Sequence, residues 1–211
     1  VAENVVGGLA AHLVTLTGSA TTAFTMPFNI ANLSATAGLD YNATPTFTNG
    51  VTLSGGILTI PAGTTSFTIN VPIINDTIFE ANETYKITLD NVVSTGTITD
   101  NDAVPTIQSV STATGVENVA GSADLVHTVT LTNASSTATT FSYILTPGTA
   151  ASGVDYNPTP TFSNGVTLIG STLTVPAGVL SFTVSYDTIN DAVFEGNETF
   201  TLQVGGTLAA N

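Results

Sequence analysis

The chain of 211 residues carries fifteen Asp and Glu against a single Lys or Arg, for a formal net charge of −14 at pH 7. With Lys86 as its one cationic side chain, it lacks what neutralises phosphates, so nucleic acid is excluded as a partner and anionic lipid surfaces are disfavoured. There is no cysteine for a disulfide framework, no apolar run long enough to span a bilayer and no leader with a basic start, so the chain reads as a mature segment or an excised fragment.

Threonine is the commonest residue, and with valine, isoleucine and phenylalanine it supplies the β-branched and aromatic content that suits half-buried strands. The expected fold class is all-β. In chain order, His12-Leu13-Val14-Thr15-Leu16-Thr17 alternates apolar and polar residues with the period of a strand that buries one face. Thr46-Phe47-Thr48 and Val51-Thr52-Leu53 flank Asn49-Gly50, the signal of a hairpin with a type I′ turn, because both central residues of that turn need positive φ. Pro61-Ala62-Gly63 marks the next corner, and Ser66-Phe67-Thr68-Ile69-Asn70-Val71 alternates again. Thr84-Tyr85-Lys86-Ile87-Thr88-Leu89 and Gly96-Thr97-Ile98-Thr99 follow an acidic loop, and Thr106 to Ser111 reads as the opening strand of a further unit.

The sequence then repeats. Asp40-Tyr41, Asn49-Gly50-Val51, Pro61-Ala62-Gly63, Asn75-Asp76 and Phe79-Glu80-x-Asn82-Glu83 return at Asp155-Tyr156, Asn164-Gly165-Val166, Pro176-Ala177-Gly178, Asn190-Asp191 and Phe194-Glu195-x-Asn197-Glu198, a constant offset of 115 residues. Glu3 and Glu117 belong to the same set with the offset slipped by one. Two tandem immunoglobulin-like Greek-key sandwiches of about seven strands are expected, at 1–102 and 103–211. The first lacks a counterpart of Thr106–Ser111 and the second a counterpart of Gly96–Asp102, so each has an open sheet edge, by excision from a longer array or for filling by a neighbouring chain.

Ten of the fifteen carboxylates fall at repeated positions, and Asp100 and Asp102 add a pair at the junction; only Asp90, Asp124 and Asp187 lie outside. Converging carboxylates without Arg or Lys repel one another and require a positive partner. Ca²⁺ is the natural one, since it takes about six to eight oxygen ligands from carboxylates, carbonyls and Asn side chains in irregular geometry. Zinc fits poorly without cysteine and with His12 and His127 on strands away from the acidic loops, and Mg²⁺ demands a stricter octahedron.

Asp40-Tyr41, Pro61-Ala62-Gly63, Asn75-Asp76-x-x-x-Glu80-x-x-Glu83-Thr84 and Gly96-Thr97-Ile98-Thr99-Asp100-Asn101-Asp102 resemble the Calx-beta motif and the related immunoglobulin-like extender repeats of large RTX-type bacterial adhesins. The resemblance implies Ca²⁺ binding by acidic loops at one end of each sandwich. It implies Glu3, Asp40, Asp76, Glu80, Glu83, Asp100 and Asp102 as ligands or close supports in the first unit, and Glu117, Asp155, Asp191, Glu195 and Glu198 in the second.

The function expected from these features is a non-enzymatic, Ca²⁺-binding structural repeat of an extracellular or cell-surface adhesin, with Ca²⁺ stiffening the linker and neighbouring repeats or subunits as partners. One alternative is a subunit of an extracellular filament built by strand exchange; another is a Ca²⁺-sensing regulatory module, as in the exchanger version of the motif. No nucleophile accompanies His12 or His127 in a shared motif, which argues against catalysis. Sequons at Asn75, Asn82 and Asn197 would place any glycan beside the acidic loops.

Overall fold

The computed structural model describes residues 1–3, 7–116 and 125–209. Among these every regular element is a strand, and the chain divides into two compact units, Val1–Asp76 with Ala81–Asn101, and Thr77–Glu80 with Asp102–Asn211.

In chain order the strands of the first span are β1 (Leu9–Thr15), β2 (Phe24–Asn32), β3 (Thr46–Phe47), β4 (Thr52–Ser54), β5 (Ile57–Ile60), β6 (Ser66–Pro72), β7 (Ile78–Phe79), β8 (Glu83–Leu89) and β9 (Val92–Ile98). The first unit is a sandwich of a three-stranded sheet, β1-β6-β3, and a five-stranded sheet, β4-β5-β2-β8-β9, all antiparallel. Period-two alternation on β6 sends Phe67, Ile69 and Val71 inward, where they share one core with Leu58 and Ile60 of β5 and Tyr85 and Ile87 of β8. Burying each such side chain contributes on the order of 1.5–3 kcal/mol relative to leaving it exposed.

The second span carries β10 (Ile107–Val110), β11 (Leu125–Leu131), β12 (Ala134–Ser135), β13 (Thr139–Pro147), β14 (Thr161–Phe162), β15 (Thr167–Ile169), β16 (Thr172–Val175), β17 (Ser181–Tyr186), β18 (Phe200–Val204) and β19 (Thr207–Ala209). A four-stranded sheet, β10-β11-β17-β14, faces a five-stranded one, β15-β16-β13-β18-β19, around a core that includes Val129, Leu131, Phe182, Val184, Leu173, Leu202 and Val204. The Thr77–Glu80 segment joins this unit through β7, which pairs in parallel with β12.

One expectation is corrected. Asn49 and Gly50 do take positive φ (57° and 74°), but β3 pairs with β6 and β4 with β5, so no ladder joins the strands on either side of the turn. The turn carries the chain from one sheet to the other instead. Asn49 Nδ2 donates to the Ser66 carbonyl at 2.7 Å and Thr48 N donates to Thr68 O at 3.1 Å, which holds the incoming arm on β6, while Val51 is drawn into the core. The second unit repeats the arrangement, with Asn164 Nδ2 donating to Ser181 O at 2.7 Å. In the first unit the two-residue hairpins lie elsewhere, at Gly55-Gly56 between β4 and β5 and at Asp90-Asn91 between β8 and β9, where Asp90 has a φ of 51°.

Candidate metal centre

The loop before Tyr41 is wound around its own aspartate. Asp40 N donates to the Thr36 carbonyl at 3.0 Å, and Thr36 N donates in return to Asp40 Oδ2 at 2.6 Å. Gly38 supplies the positive φ (89°) the bend requires, and its N–H donates to Tyr41 O at 2.8 Å. Tyr41 anchors the loop: its ring is fully buried, stacks on Tyr85, and its hydroxyl donates to Asn32 Oδ1 at 2.7 Å. The Asp40 carbonyl accepts from Ile74 N at 3.0 Å, which ties this loop to the end of β6.

The second unit builds the same loop around Asp155. Asp155 N donates to Ala151 O at 3.0 Å, Ala151 N donates back to Asp155 Oδ2, and the Asp155 carbonyl accepts from Ile189 N at 2.8 Å. Both aspartates are buried, and each loop bond engages only one of the two carboxylate oxygens. Burial first, and the neighbouring Asp40 charge second, hold the Tyr41 phenol above its ordinary range, so it adds no further negative charge beside the aspartate.

Each aspartate meets glutamates from a distant loop. In the second unit, carboxylate oxygens of Asp155, Glu195 and Glu198 all lie within 4.8 Å of one another, a group able to hold a metal ion. An open cavity of about 700 Å³ adjoins them, lined also by Tyr156 and Thr188, and Thr188 Oγ1 is buried without a hydrogen-bond partner. In the first unit, Asp40 and Glu83 bring carboxylate oxygens within 4.8 Å, and so do Glu3 and Asp100. Glu83 opens β8 opposite Ile98, whereas Glu3 reaches its place because Glu3 N donates to Thr99 O at 3.2 Å just ahead of Asp100. Glu80 and Asp102 fall in the segments that belong to the second unit.

The Calx-beta domain family matches residues 6–98 and again residues 100–210. The chain belongs to that family, twice over. Among solved structures, the chain is similar to the CBD12 of CALX1.2, with 16% identity over 97% of this chain and 75% of that one and a TM-score of 0.39. It is similar to the same extent to the calcium binding domain CBD12 of CALX1.1, with 17% identity, the same coverage and a TM-score of 0.39. No curated protein matches the chain.

The remaining acidic residues of the two Calx-beta units are placed differently. Asp191 Oδ1 accepts from Val193 N at 2.7 Å in a local turn, and among the described residues neither Asp191 nor Asp76 joins a carboxylate group. Glu117 lies outside the described residues. His12 and His127 occupy equivalent strand positions and point into the cores, His12 to Tyr85 and His127 to Tyr186 and Phe200.

Thr188 escaped the sequence reading because its counterpart in the first Calx-beta unit is Ile73, so repetition carried no signal there. The donor set suits a hard cation. Carboxylates gathered this closely repel unless a positive charge sits among them, and the chain has one Lys and no other basic side chain than its two histidines. Oxygen donors of mixed kind from two loops fit Ca²⁺ better than a metal that prefers nitrogen or sulfur.

Proposed function

We propose that both Calx-beta units bind Ca²⁺ through these carboxylates and that the chain is a non-enzymatic structural repeat of an extracellular or cell-surface adhesin. The observation that carries the reading is the convergence of Asp155, Glu195 and Glu198 at the positions that repeat Asp40, Glu80 and Glu83. In the first unit the ligands are drawn from Glu3, Asp40, Glu83 and Asp100, with Glu80 and Asp102 added by their places in the repeat and the linker. Asp76, Asp191 and Glu117 serve as outer supports. Thr188 supplies a neutral oxygen in the second unit.

Asp100 and Asp102 lie at the start of the second family match, just after the first ends at residue 98, so a cation held there restrains the linker. Neighbouring repeats or subunits are the partners such a spacer serves. A surface with one Lys, rich in Thr, Ser and Asn, favours this setting over a regulatory module.

The test is the thermal unfolding midpoint in EDTA and across a Ca²⁺ titration, with Mg²⁺ as control. A Ca²⁺-specific rise, accompanied by a narrower distribution of interdomain distances in solution scattering, is the expected result. A midpoint indifferent to Ca²⁺ would remove the metal from the reading.

A further inference from the structure

Six Asn-x-Ser/Thr sequons run through the chain, at Asn32, Asn42, Asn75, Asn82, Asn133 and Asn197, and the fold sorts them by what their side chains already do. An acceptor amide must present its nitrogen, since Nδ2 is the atom that bonds to the sugar. Asn75 Nδ2 donates to Asp76 O at 2.8 Å and Asn133 Nδ2 donates to Ala103 O at 2.7 Å, so both nitrogens are engaged. Asn32 Oδ1 accepts from the Tyr41 hydroxyl at 2.7 Å and from Ala37 N at 3.0 Å, and its sequon hydroxyl, Ser34 Oγ, accepts from Thr84 N at 2.8 Å. Asn82 and Asn197 each precede a glutamate of the acidic groups, Glu83 and Glu198.

Asn42 is placed differently. Asn42, Ala43 and Thr44 are all exposed, and Asn42 Oδ1 accepts from Thr44 N at 2.9 Å and from the Thr44 hydroxyl. Among the described residues, Asn42 Nδ2 makes no hydrogen bond. The Asx turn therefore sets the hydroxyl and the amide side by side on one open corner. The backbone behind it is fixed, because Asn42 N donates to Pro72 O at 2.9 Å and Tyr41, just ahead, is fully buried.

The second unit carries the same turn without the acceptor. Asn157 Oδ1 accepts from Thr159 N at 3.0 Å and Asn157 N donates to Asp187 O at 2.9 Å, but the residue between Asn157 and Thr159 is Pro158. Proline fixes φ and has no N–H, and it is the one residue a sequon does not tolerate in that position.

We propose that Asn42 is an N-glycosylation site, the one the folded chain offers, and that its co-substrate is a polyprenyl-diphosphate-linked oligosaccharide. Nδ2 attacks the anomeric carbon of the first sugar, and the bond from that carbon to the diphosphate oxygen breaks as the carbon–nitrogen bond forms. The diphosphate leaves with the electron pair, and one Nδ2 proton passes to a base of the transferase. Asn42 leads into β3, the outer strand of the β1-β6-β3 sheet, so a bulky polar glycan there shields that edge from pairing with other chains. The inference does not depend on Ca²⁺.

The test is glycosylation of the folded 211-residue protein by a purified single-subunit oligosaccharyltransferase with a lipid-linked oligosaccharide, read by intact mass and glycopeptide mapping. A single glycan, on Asn42, is expected. Thr44→Val removes the hydroxyl at an exposed position, leaves the core alone and should lose the glycan. Pro158→Ala should add a second glycan, at Asn157, a gain that a folding defect in the first unit cannot produce. A folded chain left unmodified, a glycan on any other sequon of the parent, or modification of Asn42 that survives Thr44→Val would overturn the proposal. So would a Pro158→Ala protein that gains nothing, since the turn would then not be what makes Asn42 an acceptor.

Discussion

His12 Nε2 lies 2.8 Å from the Tyr85 hydroxyl, whereas the equivalent His127 faces Phe200, which has no hydroxyl to offer. His127 Nδ1 donates to the Ser111 carbonyl, so in the neutral ring Nε2 is an acceptor, and it is buried without a partner. The ring pairs are otherwise alike, with centroids 5.7 Å apart in the first unit and 6.0 Å in the second. Phe200→Tyr should therefore restore the missing bond and stabilise the second unit by about 1 kcal/mol, and Tyr85→Phe should cost the first about as much. Urea unfolding of the two variants, with m-values compared to the parent, measures both.

The same histidines make stability depend on pH. Burial lowers the pKa of His127 despite its bond to Ser111, and burial, then the N-terminal ammonium, lowers that of His12. Between the ordinary value of 6.5 and the depressed folded value, the unfolded chain binds more protons than the native one, so stability rises with pH. The stabilisation is complete above pH 6.5 and is lost as pH falls below it. Denaturant midpoints at pH 7.5 and near 5.5, taken in saturating Ca²⁺ to hold the carboxylates constant, should show the drop, and His127→Gln should shrink it.

Glu195 is exposed and shares a 4.8 Å carboxylate group with Asp155 and Glu198, so Glu195→Gln changes the charge of the site without disturbing the core. A cation at one hundred times its dissociation constant stabilises the folded state by about 2.7 kcal/mol. For a unit of this size that is a midpoint shift of roughly 10–20 °C at about 4–8 °C per kcal/mol. Calorimetry with and without Ca²⁺ should show this shift for the second unit and a much smaller one in Glu195→Gln. Equal shifts in the two proteins would take Glu195 out of the ligand set.

Gly96 is opposite Tyr85 across β8 and β9, and the ring lies over it so closely that an added Cβ would sit 2.1 Å from Tyr85 Cζ. Tyr85 cannot swing aside, because it stacks on Tyr41 at 4.8 Å and bonds His12. Gly96→Ala should thus destabilise the first unit by at least about 1–3 kcal/mol, the usual cost of overpacking a filled core. Its denaturant midpoint should fall while the second unit's stays in place, which a probe confined to each unit would resolve.

Much of this was legible from local pattern. Alternation over a few residues sufficed for β6 and β8, the offset between Asp40 and Asp155 for two units, and the Asn-Gly pairs for left-handed backbone at Asn49 and Asn164, because each depends on sterics or period within a short stretch. Which strands pair was decided only in three dimensions. The Asn49 turn separates two sheets because its side chain reaches Ser66, seventeen residues away, and no local signal encodes that bond.

The acidic residues divide in the same way. Their types and repetition were plain in the chain, but Asp191 and Glu195, four residues apart, part company because a nearby backbone N–H captures the Asp191 carboxylate while Glu195 reaches Asp155 across the fold. Burial was not legible at all: His12, Val14, Leu16 and Leu89 are half-buried while His127, Val129, Leu131 and Val204, which repeat them, are buried, since burial depends on what neighbouring strands cover and is not a property of the residues themselves.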